Sequence, residues 1–153
     1  MGAEPKKLVE PKELVNLYLD ICEGIILKLT FDKSSSDISN QYLFFLSLEQ
    51  SLNYLADDMF SILNIEDPSF SLKNYLSKWD ILSSEPSIKN IIRKELTHDG
   101  FLNDIKTTQT KLNNPIDETI ITSNDSLNLK KFILILDNYK RFMFLLRKTI
   151  EEC

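Results

Sequence analysis

The stretch Ser39-Asn40-Gln41-Tyr42-Leu43-Phe44-Phe45-Leu46-Ser47-Leu48-Glu49-Gln50-Ser51-Leu52-Asn53-Tyr54-Leu55-Ala56-Asp57-Asp58-Met59-Phe60-Ser61-Ile62-Leu63 decides the fold. Phe45, Leu48, Leu52, Leu55, Met59 and Ile62 recur every three or four residues, the repeat of one helix face. Glu49, Asn53, Asp57 and Ser61 fall largely elsewhere on the wheel, so the spacing predicts a long amphipathic helix over about 39–63. Tyr42, Phe44, Phe45 and Tyr54 sit at core-compatible spacing and are expected inside.

The same period extends in both directions. Upstream, Pro11 marks a helix start, because its missing N–H costs nothing in a first turn. Leu14, Tyr18, Ile21, Ile25 and Leu29 then form a stripe, widened by Val15, Leu19, Cys22 and Ile26. Gly24 within it costs about 1 kcal/mol against alanine and is expected to mark a close helix–helix approach. The polar run Asp32 to Asp37 reads as a loop. Downstream, Asp67-Pro68 predicts a cap and first-turn proline for a short helix carrying Leu72, Tyr75, Leu76 and Trp79.

Ser83-Ser84-Glu85-Pro86 repeats that start signal before Ile88, Ile91, Ile92 and Leu96, and Gly100 stands where a left-handed cap would close the helix. Phe101, Leu102 and Ile105 are compatible with one further turn, and 107–126 is polar enough to be expected as a loop with a functional role. A last helix from about Leu127 to Glu152, capped by Asp125 or Ser126, carries Leu129, Phe132, Ile133, Leu136, Tyr139, Met143, Leu146 and Ile150. The expected architecture is a single all-α domain over 1–153, with residues 1–10 flexible. It is an up-down helical bundle of four main helices plus a short helix.

Composition agrees. At 153 residues, 42% hydrophobic and 27% charged, the chain can bury a sizeable core without disulfide or metal staples. Three glycines and five prolines disfavour a many-turned β-fold. One histidine and two cysteines cannot build a usual four-ligand zinc site, and no metal or cofactor is expected. Cys22 lies in an apolar stretch and Cys153 ends the chain; spacing gives no support for a bridge between them, which suits a reducing compartment. Met1 to Lys7 has no apolar core like that of a signal peptide, and no apolar run approaches the roughly 20 residues of a membrane span. A cytoplasmic protein without membrane partners is therefore expected. Net charge is −5, which opposes indiscriminate nucleic-acid binding. The balance is uneven, however: residues 1–85 carry 7 basic and 14 acidic side chains, residues 86–153 carry 11 and 9. An anionic ligand would meet the second half.

Few residues offer chemistry. With glycine only at 2, 24 and 100, no phosphate loop or G-x-S-x-G elbow exists. Asp57-Asp58 and Glu151-Glu152 are adjacent, so they diverge on a helix and read as solvated faces. What remains is Asn90-Ile91-Ile92-Arg93-Lys94-Glu95-Leu96-Thr97-His98-Asp99-Gly100, which holds the sole histidine and one of three arginines. As a residue type, histidine moves protons near neutrality, while arginine holds phosphate and stabilises charge developing on it. A five-residue step on an ideal helix separates Arg93 and His98 by about 140°. They converge only if the helix loosens near Gly100 or if a partner helix supplies a second copy.

This Arg93-x4-His98 pattern at a helix end, in a small all-α chain finishing in another long helix, resembles the HEPN family (higher eukaryotes and prokaryotes nucleotide-binding). Its signature is an arginine, four to six residues, then a histidine. Leu46-Ser47-Leu48-Glu49-Gln50-Ser51-Leu52 is similar to the long helix preceding that motif. The resemblance covers most of the chain as a helix pattern but about seven residues as a motif.

It implies a metal-independent endoribonuclease acting as a homodimer on an RNA substrate. It also implies a toxin of a toxin–antitoxin or phage-defence system, with an antitoxin protein as partner. Arg93 would bind the scissile phosphate and His98 would act as acid or base in attack by the ribose 2′-hydroxyl. Lys94 stands where the family often has asparagine, aspartate or histidine. Gly100 replaces the tyrosine of a subgroup regulated by nucleotidylation, so that regulation is not expected. The alternative is a non-catalytic helical-bundle module that binds a protein partner.

Overall fold

The computed structural model describes residues 9–113 and 128–151, and every regular element within them is helical. The all-α expectation holds. The elements are α1 (Pro11–Ile26), α2 (Ser35–Ile62), α3 (Tyr75–Leu82), α4 (Lys89–Leu96), α5 (Phe101–Asn113) and α6 (Leu129–Glu151), with a short 3-10 turn at Phe70–Leu72 before α3. The sequence-based start of α2 was four residues late. Ser34 caps it, its hydroxyl accepting from the Asp37 N–H at 3.1 Å, which satisfies one of the orphan donors of the first turn.

Asp37 then ties the α1–α2 connection to α2. Its buried carboxylate accepts from the Thr30 N–H at 2.7 Å and from the Gln41 amide at 2.8 Å. Burial by itself would raise this carboxyl, but those donors outweigh it and hold it below the usual carboxylate range. A depressed folded value means stabilisation present above the ordinary carboxylate range and lost as pH falls through the folded value. Thermal melts of wild type and Asp37→Asn should therefore differ at neutral pH and converge on acidification. A gap that persists at acid pH would refute this role.

Side-chain pairings fix the directions of the main helices. Ser51 donates to the Val15 carbonyl at 3.0 Å, and the Cys22 thiol to the Phe44 carbonyl at 3.6 Å, so α1 and α2 are antiparallel. Ser51 also meets the Tyr139 hydroxyl at 2.7 Å, Phe44 packs on Phe132 at 5.0 Å, and Arg147 reaches Asp58 at 3.0 Å; these pairs advance together, so α6 runs parallel to α2. Tyr42 with the Leu112 carbonyl and Glu49 with Gln109 place α5 antiparallel to α2. Trp79 of α3 is fully buried, its indole N–H donating to the Leu52 carbonyl at 3.1 Å and its ring edge-on to Phe142 at 5.1 Å.

Within α2, Phe45, Leu48, Leu52, Leu55 and Met59 are buried as their spacing requires, whereas Ile62 is exposed at the helix end. Phe44 and Phe45 enter the core, Tyr54 stacks on Tyr18 at 5.9 Å, and Tyr42 remains substantially exposed. In α1 the core draws on both sets: Val15, Leu19 and Cys22 of the widening residues and Ile25 of the stripe are buried, whereas Ile26 is partly buried and Ile21 faces outward. Burial pushes the Cys22 thiol up to about 12, with Glu23 adding to the effect, so this sulfur stays a thiol and packs as a small apolar group.

Several expectations need correction. Asp67 does not open a helix; its carboxylate accepts from Ser69 in a local turn, and α3 starts later, capped by Asn74 accepting from the Ser77 N–H at 2.9 Å. The expected 107–126 loop is helical through Asn113, because Phe101, Leu102, Ile105, Thr108 and Leu112 place one buried face on α5. Its polar composition concealed that stripe. The remainder of the segment, the caps Asp125 and Ser126, and Cys153 lie outside the described residues. Gly24 marks no close approach, since a Cβ there would meet nothing within 4 Å. Among the described residues no helix is long and apolar enough to cross a membrane.

Candidate functional site

Arg93 lies in the last turn of α4 and faces solvent. The helix stops at Leu96, and Thr97 is extended at φ −72°, ψ 168°, so His98 is not on the helix that carries Arg93. The helix thus ends between the two, although they form no hydrogen bond with each other among the described residues. Thr97 to Gly100 make a tight turn closed by the Gly100 N–H donating to the Thr97 carbonyl at 2.9 Å. His98 stands at its apex with its side chain 88% exposed, its Nε2 3.2 Å from the equally open Asp99 carboxylate.

The turn is clamped on both sides. The Thr97 hydroxyl donates back to the Lys94 carbonyl at 2.7 Å, anchoring the turn to α4. The Glu95 carboxylate accepts from the Phe101 N–H at 3.0 Å, which places a negative charge at the start of α5. Asn103 donates to the His98 carbonyl at 3.4 Å. An exposed imidazole is thereby held on an ordered backbone.

Gly100 has a different role from the left-handed cap expected of it, as no glycine among the described residues has positive φ. It is buried against α4, and a Cβ there would collide with the Glu95 backbone. Gly100→Ala should lower stability by about 1–3 kcal/mol, the usual cost of overpacking. Gly24→Ala, in open space in the last turn of α1, should raise it by up to about 0.5–1 kcal/mol. Circular-dichroism melts of both variants check this pair, and equal shifts in the same direction would contradict it.

Beside the turn, α4 and α6 enclose a cleft of about 310 Å³. From α4 it is lined by Asn90, Ile91, Lys94 and Glu95, and from α6 by Asn138, Arg141, Phe142 and Leu145. Neither Arg93 nor His98 lines it. Among the described residues, Lys131, Lys140 and Arg147 of α6 pair with Asp104, Glu23 and Asp58, whereas Arg93, Lys94 and Arg141 form no ion pair. Sequence reasoning named Lys94 only as a departure from a motif and passed over Arg141. The basic surplus of the second half was the available signal, but it could not say which cations stay unpaired. No group of three or more His, Cys, Asp or Glu side chains among the described residues is placed to hold a metal ion.

Compared with known proteins, no protein-family model matches the chain, and no curated protein and no solved structure matches it.

Proposed function

We propose that the chain is a metal-independent endoribonuclease of HEPN type that works as a homodimer, with Arg93 and His98 as its active pair. The observation that supports this best is the clamped turn: it presents the only histidine to solvent directly after the helix that presents Arg93. A single copy leaves both groups on an open surface. Two copies meeting at this end would enclose them, and low-dielectric enclosure is where such groups gain strength. In the reaction His98 takes the proton of a ribose 2′-hydroxyl, whose oxygen attacks the adjacent phosphorus. The P–O5′ bond breaks and a proton passes to the 5′ oxygen, leaving a 2′,3′-cyclic phosphate and a 5′-hydroxyl. Arg93 holds the phosphoryl oxygens, its planar fork matching their geometry. A toxin or phage-defence role with a neutralising protein partner follows from the same resemblance.

The test is incubation of the purified protein with RNA in excess chelator, with sedimentation at the same concentration. Cleavage to cyclic-phosphate ends by a dimer is expected; an inert protein, or a strictly monomeric active one, defeats the proposal. A second reading, a non-catalytic module that binds a protein, is supported by Tyr42, Leu43 and Leu46, which leave apolar surface exposed along α2. That reading expects no cleavage, and loss of partner binding on Leu43→Glu.

A further inference from the structure

The α4–α6 cleft carries chemistry that neither Arg93 nor His98 explains. Elsewhere on α6 some cations are taken up by carboxylates of other helices, Lys131 by Asp104, Lys140 by Glu23 and Arg147 by Asp58. Lys94 and Arg141 are the two cations that line the cleft, one from each wall, and neither has an ion-pair partner among the described residues. The carboxylate that shares the cleft, Glu95, is already engaged by the Phe101 N–H. Two amides, Asn90 and Asn138, stand one on each wall as well. Ile91 and the exposed Leu145 supply apolar surface beside them.

We infer that this cleft binds a segment of single-stranded RNA, distinct from the position of the bond that is cut. Lys94 and Arg141 take backbone phosphate, whose charge their unpaired state leaves them free to meet. Asn90 and Asn138 offer both donors and acceptors to exposed base edges, and Ile91 with Leu145 covers base faces. A bare phosphate would use the cations and leave the amides and apolar wall idle. An acidic peptide would use the cations but has no flat aromatic face for the wall. Lys94 and Glu95 follow Arg93 directly on α4, so the same helix carries the cleft and one half of the active pair. The inference rests on the ribonuclease reading only in choosing RNA as the phosphate polymer.

The experiment is fluorescence anisotropy of a labelled ten-nucleotide single-stranded oligoribonucleotide, in chelator, with every protein carrying His98→Ala so that the strand stays whole. Lys94→Glu and Arg141→Glu should each weaken binding by about tenfold or more, and Lys106→Glu, an exposed reversal on α5 outside the cleft, by no more than about twofold. Leu145→Asp should weaken it comparably to the cleft reversals, and inorganic pyrophosphate or a polyglutamate peptide should compete far less well than unlabelled strand. All four positions are exposed, and matched melts confirm folding. Absence of binding, equal loss with Lys106→Glu, or competition by the peptide as strong as by RNA would each overturn the proposal. Binding with this residue pattern in a protein whose wild type does not cut RNA would uphold the cleft and remove the ribonuclease.

Discussion

His98→Ala is expected to stop RNA cleavage, lowering the rate by about 10²–10⁴-fold, the usual contribution of a positioned acid or base. The melting temperature should stay nearly unchanged, because the side chain is 88% exposed and its one ionic contact among the described residues is with the similarly open Asp99. Surface groups of this kind contribute within about 0.5 kcal/mol. That separation of activity from stability distinguishes a catalytic imidazole from a structural one. Arg93→Lys should retain a fraction of the activity that Arg93→Ala loses, since lysine keeps the charge but not the two-pronged donor geometry. Cleavage that survives His98→Ala would assign the activity to a contaminating nuclease or to another site.

The largest effect on stability is expected at Asp57. Lys78 of α3 is 2% exposed, and its ammonium donates to the Asp57 carboxylate of α2 at 2.8 Å while lying 5.5 Å from the Phe70 ring centroid. Asp57→Ala would leave that charge buried without its counter-ion, at a cost of about 3–5 kcal/mol. In a chain of this size each kcal/mol moves the melting temperature by roughly 2–4 °C, so a loss of about 6–20 °C should be seen. Lys78→Met removes the charge and keeps the bulk, so it should cost far less. Adding it to Asp57→Ala should recover most of the loss. If the two single variants melt alike, the ion pair is not what holds α3 against α2.

The sequence assignment of Asp57-Asp58 to a solvated face shows where local reading runs out. Adjacent residues do diverge on a helix, but each meets a cation from a different part of the chain: Asp57 reaches Lys78 and Asp58 reaches Arg147. Neither partner can be deduced from the periodicity of α2. The same holds for α5, whose stripe of Phe101, Leu102, Ile105, Thr108 and Leu112 includes a threonine and is surrounded by polar residues, so its face emerged only when α2 and α6 packed on it. At Gly100 the expected left-handed cap is absent; tight contact with α4, not handedness, excludes a side chain there.

Helix content and the deep face of α2 were legible in the primary structure, because each depends on residue types repeating over a few positions. Pairing across the fold decided the rest. Whether Lys94 and Arg141 remain free while Lys131, Lys140 and Arg147 are neutralised depends on which carboxylates reach them from distant helices. Whether His98 is buried or offered to solvent depended on where α4 ends and how Gly100 docks on it. Periodicity records which face of a helix is apolar; it carries no record of what that face, or the charges at its edge, will meet.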